Sequence, residues 1–132
     1  MSEMSDSPES VVRRFLASWA DPNLEEVVSF FADDAVFVDG PRGVHRGLSA
    51  IRSQLEVDLR PVKADVKSLT VDGRAVMLER VDSFDVGGKG FSMEVMAAFV
   101  IDAHGQITRW RESYDLKSIT DQIHAAGFKV PS

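Results

Sequence analysis

Near the start of the chain, apolar residues recur at helical spacing. Val11, Val12, Phe15, Leu16 and Trp19 form one stripe, as an amphipathic helix requires. Ser7 can cap this helix, Pro8 suits its first turn, and Ser10 is a competing cap. Asp21-Pro22 marks a turn. Leu24, Val27, Val28 and Phe31 then predict a short second helix. "AVFVDGP" (35–41) alternates like a strand and stops at a Gly-Pro break. Leu48, Ile51, Leu55 and Leu59 predict a third helix within 46–60. Four strand-like stretches follow, at 64–72, 75–86, 89–102 and 105–115. A last helix over 116–127 carries Leu116, Ile119 and Ile123 and ends at Gly127.

Helices gathered before a run of long strands predict an α+β domain. A strongly curved, mixed or antiparallel sheet wrapped around the N-terminal helices would give a cone with a cavity. Residues 1–7 read as a loose tail and 8–132 as one domain, the size expected for 132 residues.

Turn residues set a register. Gly87-Gly88 suits a two-residue type I′ turn, which needs positive φ at both centres. It pairs Val86 with Lys89, and therefore Asp82 with Met93 and Arg80 with Val95. A three-residue loop with Gly105 left-handed pairs Asp102 with Gln106. Continued without a bulge, that register sets Met93 opposite Asp115 and Val95 opposite Ser113. Opposite residues share a face. The predicted inner face is apolar at Leu78, Phe84, Phe91, Met93, Val95 and Phe99. Its polar members are Arg80, Asp82, Arg111, Ser113 and Asp115. Glu79, Glu94, Met96, Trp110, Glu112 and Tyr114 fall on the other face, towards solvent or a subunit interface.

Composition narrows the function. Net charge is −6 and the pI about 5.0, which disfavours nucleic acid and anionic membranes as partners. The chain has no cysteine, so disulfides, zinc–thiolate sites and thiol nucleophiles are excluded. No apolar run approaches the ~18 residues of a membrane span, and a cytoplasmic location is expected. His45, His104 and His124 show no metal-ligand spacing and read as exposed. Asp33-Asp34 reads as a solvated loop.

The polar group on the inner face is the candidate chemistry. Desolvation favours a protonated carboxyl, and a neighbouring arginine favours a carboxylate. Two aspartates bridged by Arg80 can therefore divide the roles of acid and base. Two strand spacings put their Cα atoms roughly 10 Å apart, with room between for a water and a small electrophile. The same three residues could equally form a structural ion-pair network. Phe37, Leu78, Phe84, Met93, Val95, Trp19 and Leu55 are the candidate pocket wall.

"ERVDSF" (79–84) and "FSMEVMAAFVIDAHGQITRWRESYD" (91–115) resemble limonene-1,2-epoxide hydrolase and its relatives, within the nuclear transport factor 2-like superfamily of cone-shaped folds. That family carries an Arg-x-Asp strand, here Arg80-Val81-Asp82. Downstream it has a strand of the type GxIxxWRDYFD, here Gly105 through Asp115. The close match covers roughly the second half of the chain. The first half agrees in element order. The resemblance implies one-step opening of a small hydrophobic epoxide by water. Asp82 would protonate the epoxide oxygen, Asp115 would take a proton from water, and Arg80 would bridge both. It also implies a homodimer with no metal or organic cofactor. The family's water-holding Tyr-x-Asn is replaced here by Phe37 and Asp39, which leaves Asp39 as the candidate to position water. An isomerase or cyclase resembling ketosteroid isomerase or polyketide cyclases, and a non-catalytic small-molecule-binding module, are the alternatives.

Overall fold

The computed structural model describes residues 7–128. Helix α1 (Pro8–Ala17) begins where the apolar stripe predicts, and the Ser7 side chain accepts a hydrogen bond from the Ser10 amide at 3.1 Å. Ser7 is thus the cap of this helix. The rest of the expected tail, residues 1–6, lies outside the described residues. Helix α2 (Leu24–Val28) is shorter than expected, and Phe31 opens strand β1 (Phe31–Asp39) instead of closing the helix. Asp33 and Asp34 are exposed, but within this strand and not in a loop. A 3-10 turn (Gly40–Arg42) leads into a short strand β2 (Val44–Arg46), which the sequence pattern does not announce. Then come α3 (Leu48–Asp58), β3 (Lys63–Asp72), β4 (Ala75–Val86), β5 (Lys89–Ile101), β6 (Ile107–Ser113) and α4 (Leu116–Ala125).

The six strands form one curved, open sheet in the order β2-β1-β6-β5-β4-β3. All neighbours are antiparallel except β1 and β6. Helix α1 packs on β3, β4 and β5 from the concave side. Its fully buried Phe15 meets Trp19, Phe30, Phe31, Phe99 and Trp110 edge-on, with ring centroids 5.1 to 6.0 Å apart. Edge-on aromatic pairs add to the burial term, so one residue ties helix to sheet.

The β4–β5 register is the expected one: Asp82 faces Met93 and Arg80 faces Val95. At the next hairpin the expectation fails. Gly105 is left-handed at φ 81°, and Asp102 and Gln106 pair as predicted. Yet Ile101 faces Ile107 while Val100 faces Arg109. Thr108 is one residue too many, a β-bulge, and its hydroxyl donates to the Val100 carbonyl at 3.2 Å. Every later residue of β6 changes face, because side chains alternate with period two. Met96 therefore faces Ser113, and Ala97 faces Glu112. Trp110 and Glu112 turn inward and are buried, while Arg109, Arg111 and Ser113 are exposed. The physical reason is burial. The bulge puts a tryptophan in the core in place of two arginines, and arginine is almost never fully buried without a partner. Further register shifts on β1 and β3 add to the curvature.

Deleting Thr108 would return Trp110 and Glu112 to the outer face and bring Arg109 and Arg111 inward. We expect that variant to lose its cooperative thermal transition and near-ultraviolet circular dichroism. Thr108→Ala, which keeps the bulge and loses only the Val100 bond, should cost no more than about 1.5 kcal/mol. A deletion variant that folded with a native aromatic signal would refute the role given to the bulge.

Candidate active site

The concave face of the sheet, the ends of α1 and α3, and α4 enclose a cavity of about 590 Å³. Trp19, Phe37, Leu55, Phe84 and Met93 line it, together with Asp39, Arg80 and Asp82. Leu78 and Val95 are buried on the same face but are not part of the lining. The sequence reading missed Arg42, Trp110, Glu112 and Tyr114 in the wall. It also missed the contribution of α4, whose Leu116, Ile119 and Ile123 line the cavity.

Asp115 is not there. It follows the end of β6, is exposed, and caps α4 by accepting from the Lys117 amide at 3.0 Å. The expected Met93–Asp115 pairing fails because of the Thr108 bulge. Glu112 occupies the inward position instead. The family strand pattern contains an acid at both places: its first aligns with Glu112 and its last with Asp115. Only the change of face decides between them.

Arg80 is the centre of the polar group and its side chain is 1% exposed. Its Nε donates to Asp82 Oδ1 at 2.8 Å and its Nη2 to Asp82 Oδ2 at 3.0 Å. The same Nη2 lies 2.5 Å from Glu112 Oε2. Trp110 Nε1 donates to that oxygen as well, at 3.0 Å. Glu112 Oε1 accepts no hydrogen bond among the described residues. The guanidinium lies 4.8 Å from the centre of the Trp19 ring, a cation–π contact strengthened by the dry surroundings. Its Nη1 is buried without an acceptor among the described residues. Trp110 is also stacked on Phe37, centroids 3.8 Å apart, which holds the indole N–H towards Glu112.

A second polar group adjoins the first. Asp39 is buried and sits next to Glu112 across the β1–β6 ladder. Tyr114 donates its hydroxyl to Asp39 Oδ1 at 3.0 Å. Arg42 donates to Asp39 Oδ2 from Nε at 3.1 Å, and to Asp58 Oδ2 from Nη2 at 2.8 Å. Tyr114 lines the cavity, contrary to the expected register. His45 is on β2 with its ring against Phe37, not in a loop. Among the described residues no three of His, Asp and Glu converge closely enough to hold a metal ion.

Burial is the main cause that pushes the Glu112 carboxyl above its ordinary value of 4.5, and the charge of Asp82 acts in the same direction; Arg80 and Trp110 oppose both. Burial alone would lower Arg80, but Glu112 and Asp82 outweigh it and hold the guanidinium charged. Burial and then Asp39 raise the Tyr114 phenol, which keeps it a hydrogen-bond donor.

These directions have a consequence for stability. The folded pKa of Glu112 lies above its unfolded value, so the folded chain holds a proton that the unfolded chain has already lost. This contribution is complete below the unfolded value and disappears as pH rises through the folded one. The melting temperature of the wild type should therefore fall, relative to Glu112→Gln, as pH rises above 4.5 and through the folded value. Parallel melting curves for the two proteins across that window would contradict a buried, proton-retaining Glu112.

Known proteins share this architecture. An M. tuberculosis LEH-like epoxide hydrolase superposes with a TM-score of 0.75 at 23% identity, covering 87% of each chain. The epoxide hydrolase/cyclase-like enzyme SalBIII, of pyran ring formation in the polyether salinomycin, gives 0.75 at 15% identity, over 84% of this chain and 92% of that one. A Catenulispora acidiphila protein with a ketosteroid isomerase-like fold, in complex with trimethylamine, gives 0.76 at 22% identity, over 95% and 99%. At these identities the likeness establishes the fold. No curated protein matches the sequence. The model of the SnoaL-like domain family matches residues 12–110, most of the chain, and the protein belongs to that family, within the nuclear transport factor 2-like superfamily.

Proposed function

We propose that the protein is an epoxide hydrolase that opens a small hydrophobic epoxide with water, in one step, to a diol. The observation that carries this reading is the buried Asp82–Arg80–Glu112 bridge in the wall of a largely apolar cavity. A cavity with a few convergent polar groups suits a small apolar ligand. Asp115, expected as the base, is replaced in this role by Glu112.

The surroundings divide the two carboxyls. Asp82 faces Met93 across the ladder, and Phe84 follows on the same strand; this apolar end accepts the hydrocarbon body of the epoxide. Glu112 has an open Oε1 and Asp39 beside it; this is the end for water. In the working form the pair shares one proton through Arg80; burial favours it on Glu112, and the reaction runs from the tautomer in which it has passed to Asp82. Asp82 gives it to the epoxide oxygen as the C–O bond breaks. Arg80 already bonds both Asp82 oxygens, so the carboxylate that forms is stabilised without rearrangement. Glu112, made more basic by burial, takes a proton from the water as its oxygen bonds to carbon. Arg80 binds both groups and keeps the charge change local. No covalent enzyme intermediate forms.

Tyr114 at the cavity wall favours a second reading, an isomerase or cyclase in which the phenol stabilises an oxyanion. Its proton is already donated to Asp39, which makes hydrolysis the stronger reading.

Turnover of an epoxide panel in oxygen-18 water tests the proposal. The expected result is a diol with one labelled oxygen, with activity reduced at least about 100-fold in Asp82→Asn and Glu112→Gln and retained in Asp115→Asn. Labelled diol lost in Asp115→Asn but kept in Glu112→Gln would overturn the assignment. The rate should also be bell-shaped in pH, because the one-proton form of the pair is the active one. Activity falls at low pH, where both carboxyls are protonated, and again at high pH, where the last proton leaves. The raised Glu112 places that second limb above 4.5. A rate independent of pH on both sides would exclude the carboxyl pair.

A further inference from the structure

We infer that Tyr114 is a positioning residue that holds the attacking water against Glu112, an assignment that rests on the hydrolase reading. The first strand supplies no hydroxyl here, since Phe37 is apolar and its ring is stacked on Trp110. A hydroxyl comes instead from the other side of the ladder. Tyr114 follows β6, lines the cavity and donates its only hydrogen to Asp39 at 3.0 Å. A tyrosine oxygen that has donated its hydrogen can only accept another bond. Donation to an acid held by Arg42 polarises the phenol and makes that oxygen a better acceptor.

Tyr114 and Glu112 both line the cavity, and among the described residues neither the Tyr114 oxygen nor Glu112 Oε1 accepts a hydrogen bond. The Glu112 side chain is 8% exposed, so its open oxygen has little contact with bulk water. A water between them donates one hydrogen to Tyr114 and the other to Glu112. Both lone pairs of its oxygen then remain free for the epoxide carbon. As the new C–O bond forms, the hydrogen on the Glu112 side moves to that carboxylate. The epoxide C–O bond breaks, and Asp82 supplies the proton to the departing oxygen. The hydrogen on the Tyr114 side stays with the diol.

The surroundings hold Tyr114 in place. Asp39 is fixed by Arg42, which Asp58 holds from α3, and Gln54 donates to Asp58 at 2.8 Å. Gly40, at φ 45°, leaves room for the tyrosine ring: a Cβ there would meet Cε1 at 2.9 Å.

The test is Tyr114→Phe, which keeps the ring and removes the acceptor. High-resolution crystal structures of the unliganded wild type and variant would be compared, with kinetics on a substrate turned over by the wild type. The wild type should show an ordered water within hydrogen-bonding distance of both Tyr114 Oη and Glu112 Oε1, and the variant should lack it. The variant should lose about 10- to 100-fold in kcat with KM little changed, and its melting temperature should fall because buried Asp39 loses a donor. A merely structural role would lower the melting temperature only and leave kcat of the folded fraction intact. No such water in the wild type, or a Tyr114→Phe kcat equal to that of an active wild type, would overturn the inference. A water present in the wild type and lost in the variant, with no epoxide turned over by either, would defeat the hydrolase reading and leave the water seat standing.

Discussion

One buried guanidinium constrains the rest of the molecule. Arg80 is almost wholly removed from solvent, and a buried charge is costly unless it is paired and hydrogen-bonded. Asp82 and Glu112 supply the pairing, and the Trp19 ring covers the guanidinium. The three groups come from two strands and a helix end, so the sheet must curve and α1 must dock before the charge is compensated. One positive group between two carboxyls also leaves the site over-supplied with acid. Burial resolves this by favouring a proton on Glu112, and a pair that shares one proton can both give and take one.

That arrangement exists because of one extra residue. Thr108 turns β6 over, so the strand presents Trp110 and Glu112 to the interior and its arginines to solvent. The bulge serves packing and chemistry together. Trp110 fills the space between Phe15, Phe37 and Phe99, and its indole N–H then finds Glu112 as acceptor. A tryptophan in the core brings with it a donor to satisfy, and the acid two residues on satisfies it.

The cavity is bounded by two kinds of surface. Sheet and α1 provide a rigid apolar wall, anchored at Phe15. Helix α4 provides the rest with half-buried aliphatic side chains and no fully buried residue. The polar residues at Asp39, Tyr114 and Arg42 join the 3-10 turn after β1 to the end of β6 and to α3. Chain segments distant in sequence thus meet at one polar edge of the cavity.

The sequence by itself determined most of the elements, the α+β class, the β4–β5 register and the Arg80–Asp82 pair. These follow from local rules: helical and strand periodicity, a glycine pair that demands one turn type, and alternation along a single strand. It also indicated much of the cavity wall, from Trp19 to Met93. Only the tertiary structure decided which acid completes the site. Asp115 and Glu112 stand three positions apart on the same stretch, so they fall on opposite faces of any regular strand, and both fit the motif. The choice depended on whether the core would take Trp110 or its flanking arginines. That is a question of packing against Phe15 and Phe37, residues some seventy or more positions away in the chain. The same inversion brought Tyr114 to Asp39, a contact that no local pattern encodes.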